Sequence, residues 1–100
     1  MSEEEQREER KEKVLRVSGG TDCHRLGASI AHVVAKDGHD CIIESIGAGA
    51  GNQAEKAVIT ANGILSRQGI YLSIIPSFVS RVVDGKERNA IQRKVLVHRL

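Results

Sequence analysis

The chain has 100 residues, 28% of them charged and 2% aromatic, with a net charge of +2. That length supports one domain with a modest core. No apolar run approaches a membrane span and no signal-peptide pattern follows the start, so a cytoplasmic protein is expected. The 2 cysteines are too few for a disulfide framework.

Residues 1–13 hold six acids, four bases and no apolar residue after Met1. Such a stretch buries too little surface to offset its ordering entropy and reads as a disordered or frayed-helical tail. The expected domain is therefore 14–100. It carries a net +4 against −2 in the tail, a balance compatible with binding nucleic acid.

Val14-Leu-Arg-Val17 is a short β-type run, closed by Ser18-Gly-Gly-Thr21. Thr21 or Asp22 can cap the helix that follows. Leu26, Ile30, Val33 and Val34 form its apolar stripe, and Lys36-Asp-Gly38 supplies a stop. His32, beside the stripe, reads as a partly buried polar residue. Cys41 to Ile46 forms a second strand.

Next comes Gly47-Ala-Gly49-Ala-Gly51-Asn52-Gln53-Ala-Glu-Lys56. The glycines predict a sharp turn that another molecule can approach closely, with a helix running from Asn52 to about Arg67. Its first turn would present free N–H groups beside Asn52, Gln53 and Lys56, a place for an anion. A glycine is missing at position 52, so the dinucleotide fingerprint fails, and no Gly-Lys-Ser/Thr P-loop occurs. Three readings stay open: a tight strand-to-helix turn, a nucleic-acid phosphate contact, or a small-anion site.

From Ile70 the period becomes two. Ile70, Leu72, Ile74, Pro76 and Phe78 share one face, and Tyr71, Ser73, Ile75 and Ser77 the other. Pro76 cannot donate to a ladder, which predicts an edge or bulged strand. Asp84-Gly85 signals a hairpin, and Asn89 to His98 returns as the last strand. Arg81, Lys86 and Arg88 bracket the turn, with Arg93 and Lys94 beyond it. A basic two-stranded arm can track a phosphate backbone, although such residues also protect and solubilise an edge.

The order βαβαββ with right-handed crossovers predicts an α/β two-layer sandwich: a mixed four-stranded sheet with two helices on one face. Its open face would carry Val14, Arg16, Ile42, Glu44, Tyr71 and Ile75. That face, or the flanks of the second helix at Ile59 and Ile64, offers a self-association surface.

No metal, catalytic or cofactor site is expected. Cys23 and His24 begin the first helix and His39 and Cys41 follow its end, roughly 20 Å away along its axis. Cys41 reads as a core residue, and nothing places a catalytic partner beside Cys23. With Tyr71 and Phe78 the only aromatic residues, there is no platform for stacking bases.

Val14-Leu-Arg-Val-Ser18, Ile46-Gly-Ala-Gly-Ala50, Asn52-Gln-Ala54, Lys56-Ala57, Ile75-Pro-Ser-Phe78 and Asp84-Gly-Lys-Glu-Arg88 before Ala90-Ile91 resemble the stage V sporulation protein S family in order and spacing. Gly19-Gly-Thr-Asp-Cys23 and the charged Gln92-Arg-Lys94 depart from its pattern. The family is similar in fold to the Alba chromatin proteins. The resemblance implies a homodimeric or larger, non-catalytic regulator that contacts DNA or RNA through its backbone, cytoplasmic or nucleoid-associated. The contacts would fall on Gly47, Gly49, Gly51, Asn52, Gln53, Lys56, Arg81, Lys86 and Arg88. The competing expectation is an oligomeric protein-interaction module regulating development or cell division without touching nucleic acid.

Overall fold

A computed structural model describes residues 11–100. Most of the expected tail, residues 1–10, lies outside the described residues. Its last part does not: strand β1 spans Glu12–Val17, with Glu12 and Lys13 already paired to Asp40 and Cys41. The remaining elements are helix α1 (Cys23–Ala31), strand β2 (Asp40–Ser45), helix α2 (Ala48–Leu65), strand β3 (Ile70–Val83) and strand β4 (Lys86–Arg99). The order is the expected βαβαββ.

The sheet runs β1-β2-β4-β3, with β1 and β2 parallel and the other pairs antiparallel. Val17, Ile43, Val95, Ile70 and Leu72 share its buried face. They pack against Leu26, Ile30 and Val34 of the first helical segment and Ala54, Ala57, Val58, Ala61 and Leu65 of α2. Cys41 belongs to the same core, and burial pushes its thiol up to about 11.

Asp22 caps α1. Its Oδ1 accepts from the backbone N–H of His24 at 2.9 Å and of Arg25 at 3.2 Å. Those bonds favour the ionised carboxylate and hold it below the usual 3.8. A depressed acid stabilises the fold above its unfolded pKa and loses that contribution as pH falls through the folded value. Asp22→Ala is therefore expected to lower Tm near pH 7, with the gap to wild type closing as pH drops below about 3.8. Parallel melting curves against pH check this.

Beyond Ala31 the helix widens into a π turn over His32–Lys36, where the Asp37 N–H bonds the His32 carbonyl at 3.0 Å. Gly38, at φ 66°, ends it. His32 is exposed rather than partly buried, because Val33 and Val34 take the core side of this turn. Its Nε2 lies 3.3 Å from the Asp37 carboxylate.

α2 starts four residues before the expected Asn52. Gly47, at φ 90° and ψ 159°, makes the turn, and the Gly51 N–H already bonds the Gly47 carbonyl at 3.0 Å. Gly49 and Gly51 thus belong to the first helical turn. Their poor helix propensity is offset by close packing: a Cβ on Gly51 would stand 3.3 Å from the Arg93 guanidinium.

β3 is an edge strand, as Pro76 requires. Its register with β4 continues without a bulge from Ile70–Arg99 to Val83–Lys86. Asp84 and Gly85 close the hairpin with φ values of 51° and 76°, the type I′ pair that matches strand twist. β4 begins at Lys86, three residues ahead of Asn89. Since β2 stops pairing with β4 at Ser45–Ile91, the hairpin continues alone as a two-stranded arm.

Candidate nucleic-acid interface

Because β1 and β2 are parallel, the helices that follow them start at the same end of the sheet. Their two glycine segments touch there: a Cβ on Gly49 would lie 3.8 Å from the Gly19 Cα. Gln53 Nε2 donates to the Thr21 carbonyl at 2.6 Å, tying α2 to the first loop. This bond engages the Gln53 amide inside the protein. Asn52 and Lys56 remain exposed, on the second and third turns of α2 rather than its opening turn. The N–H groups of Ala48, Gly49 and Ala50 stand at the start of α2 without a helical acceptor, and among the described residues no side chain caps them.

The arm springs from that same end. Strand alternation places Arg81, Lys86 and Arg88 on one side of it, continuous with the open face of the sheet. The start of α2 belongs to the opposite, helical layer. The structure therefore divides the expected contact residues between two faces instead of gathering them into one patch.

Arg81 stands directly opposite Arg88, a repulsive cross-strand pair. Glu44 relieves it. The Arg81 Nε donates to Glu44 Oε1 at 2.5 Å, and the Arg16 Nε lies 3.8 Å from Oε2. Glu44 is 5% exposed, and among the described residues its Oε2 has no hydrogen-bond partner. The arm thus folds against the ends of β1 and β2, leaving a cleft of about 350 Å³ lined by Arg16, Glu44, Ile46, Arg81, Val82 and Val83. Arg81 is a latch here, held by a carboxylate, while Lys86 and Arg88 are exposed.

Direct pairing puts Val14, Ile42, Lys94 and Ile75 in one row of the open face and Arg16, Glu44, Gln92 and Ser77 in the next. The six residues expected on this face are all there. Tyr71 stacks on His98 with ring centroids 4.6 Å apart, and the His98 Nε2 lies 2.7 Å from the Ser73 hydroxyl. Lys94 and Arg16 are exposed and extend the basic side of the arm across the sheet. Chain order alone hides this continuity, since it comes from pairing between distant strands.

Arg93, adjacent to Lys94 in sequence, turns the other way. It lies on the helix face, 8% exposed, and its Nη1 donates to the Ser45 hydroxyl at 2.7 Å. Burial lowers its pKa, and the nearby Glu55 carboxylate opposes that shift through space. Alternation along β4 carries the inward signal, since Arg93 lies two residues from Val95 and shares its face.

Among the described residues no three His, Cys, Asp or Glu side chains gather to hold a metal, and no helix is long and apolar enough to cross a membrane. A family profile described as stage V sporulation protein S matches residues 13–98. The match takes in nearly all of β1, both glycine segments, the arm and nearly all of β4, so the chain belongs to the stage V sporulation protein S family.

Proposed function

We propose that this protein is a non-catalytic, sporulation-related regulator that binds DNA or RNA along the phosphate backbone. One observation carries the reading: Arg16, Arg81, Lys86, Arg88 and Lys94 share the open side of the sheet and arm. Such a track reads charge and shape rather than base identity. Apolar Ile59 and Ile64 stay exposed on α2, on the other layer, and a homodimer formed there leaves both tracks free. Two linked tracks raise affinity without any new contact.

The test is a salt titration of binding to duplex DNA and to structured RNA. Affinity is expected to fall steeply with salt and to depend little on sequence. Lys86→Ala should reduce the magnitude of the log–log salt slope by about one. Lys56→Ala, measured alongside, reports whether the α2 surface reaches the same backbone. Absent or salt-insensitive binding removes the reading.

A second reading rests on Phe78 and Val82, which are 79% and 74% exposed on the arm. In a protein-interaction module these apolar side chains dock a partner. A complex that survives nuclease and high salt, and is lost in Phe78→Ala, would favour it.

A further inference from the structure

We infer that the cleft between the arm and the ends of β1 and β2 takes the base of one unpaired nucleotide, held by Glu44 Oε2. The inference rests on the nucleic-acid reading and gives it a substrate class.

Glu44 lines this cleft of about 350 Å³ together with Arg16, Ile46, Arg81, Val82 and Val83, and it is 5% exposed. Its two oxygens differ. Oε1 accepts from Arg81 Nε at 2.5 Å, whereas Oε2 is buried and, among the described residues, accepts no hydrogen bond. Arg16 Nε, 3.8 Å away, offers Oε2 a charge but lies beyond hydrogen-bond reach. A buried oxygen in that state carries a desolvation cost that a donor recovers. The Arg16 side chain is 76% exposed and makes no hydrogen bond among the described residues. It can therefore turn aside and let a donor take its place beside Oε2.

The walls decide which donor fits. A free cation is repelled by two guanidiniums, Arg16 and Arg81, set against one carboxylate. An anion brings no donor to an acceptor-only carboxylate. The group that enters is therefore neutral, carries an N–H for Oε2, and presents a flat or apolar body to Ile46, Val82 and Val83. Arg16 also belongs to the basic track of the open face, so a phosphate outside the cleft anchors the same molecule. A nucleobase on its sugar-phosphate meets every condition. Each base has an N–H on its Watson–Crick edge beside an acceptor that Arg16 can meet, and a guanidinium plane can stack on the ring. In a duplex that edge is already paired. The cleft thus selects unpaired nucleotides without choosing among bases.

Uridine monophosphate is the probe, because its base carries a single N–H. Titrated into the full chain, it should shift the methyl resonances of Ile46, Val82 and Val83 saturably. The N3-methylated nucleotide lacks that proton and should bind about tenfold more weakly, the loss expected for one hydrogen bond to a buried group. Both nucleotides carry the same phosphate, so the difference reports the base. Glu44→Gln should erase it, and the comparison in the wild-type protein stands even where that variant is too unstable to measure. An oligouridylate single strand and its duplex with oligoadenylate, at one salt concentration, then identify the source. Shifts of the same methyls by the single strand place the nucleotide within a chain, and shifts by the monophosphate alone assign it to the free nucleotide. Methyl resonances that ignore uridine monophosphate, equal affinity for the methylated form, or equal shifts with the duplex would overturn the inference. The Lys86 salt slope is measured on a duplex, so failure of the track and failure of the cleft are read separately.

Discussion

Gly27→Ala is expected to destabilise the fold by about 2 kcal/mol, within the range for overpacking a tight contact. On helix propensity alone the same change should gain close to 1 kcal/mol. The contact decides the sign. A Cβ on Gly27 would stand 2.6 Å from Thr60 Cβ, 2.7 Å from Thr60 Cγ2 and 2.9 Å from the Ala57 carbonyl. Rotation of Thr60 removes only part of the clash, because the carbonyl is backbone. The helices must then separate, loosening Ala54, Ala57 and Ala61 from the core they share with Ile30. For a domain of this size the loss corresponds to a Tm drop of roughly 8–16 °C. A double change to Gly27→Ala with Thr60→Gly should recover part of it, whereas a Tm equal to or above wild type in the single variant would contradict the packing.

The second large effect concerns the arm latch. Among the described residues, Arg81→Ala removes the one side-chain hydrogen bond to the Glu44 carboxylate and leaves that group, 5% exposed, beside the more distant Arg16. The expected cost is about 1–2 kcal/mol, toward the low end for a buried group losing its partner, because the Arg81 side chain is itself 42% exposed and screened. Glu44→Gln tests the opposite side of the pair. It relaxes the hold on Arg81 and adds one net positive charge to the basic track. Duplex affinity at low salt should rise severalfold even as Tm falls. Chemical denaturation and binding measured on both variants separate the roles. If Arg81 were a free phosphate contact, Glu44→Gln would leave stability unchanged.

Local patterns in the chain foretold the elements whose signals are themselves local. Alternation from Ile70 to Phe78 marked the strand, Pro76 marked its edge position, and Asp84-Gly85 marked a turn needing two positive φ values. Asp22 stood one residue before the helix it caps. Glycine propensity argues against helix at Gly49 and Gly51 and so points to a start at Asn52, whereas packing against Gly19 and Arg93 lets α2 begin at Ala48. The π turn after Ala31 has no distinctive composition.

Much of the candidate interface is invisible in the sequence for a different reason. Glu44 and Arg81 are brought together by the pairing of β2 with β4 and the curl of the arm, which no short window records. Arg93 and Lys94 read as one charged pair along the chain, whereas alternation sends one into the protein and the other to its surface. Composition located the basic residues, and strand order sorted them.

Pro76 has a further consequence for life at high concentration. β3 offers a long outer edge carrying exposed Ile75, Phe78 and Val82, the kind of strand onto which a second chain adds to begin a fibril. Proline deprives that edge of one donor near its middle and breaks the uninterrupted ladder such growth needs. The residue that defines an edge in the sequence also works against growth along it, at the strand that carries the outer side of the arm.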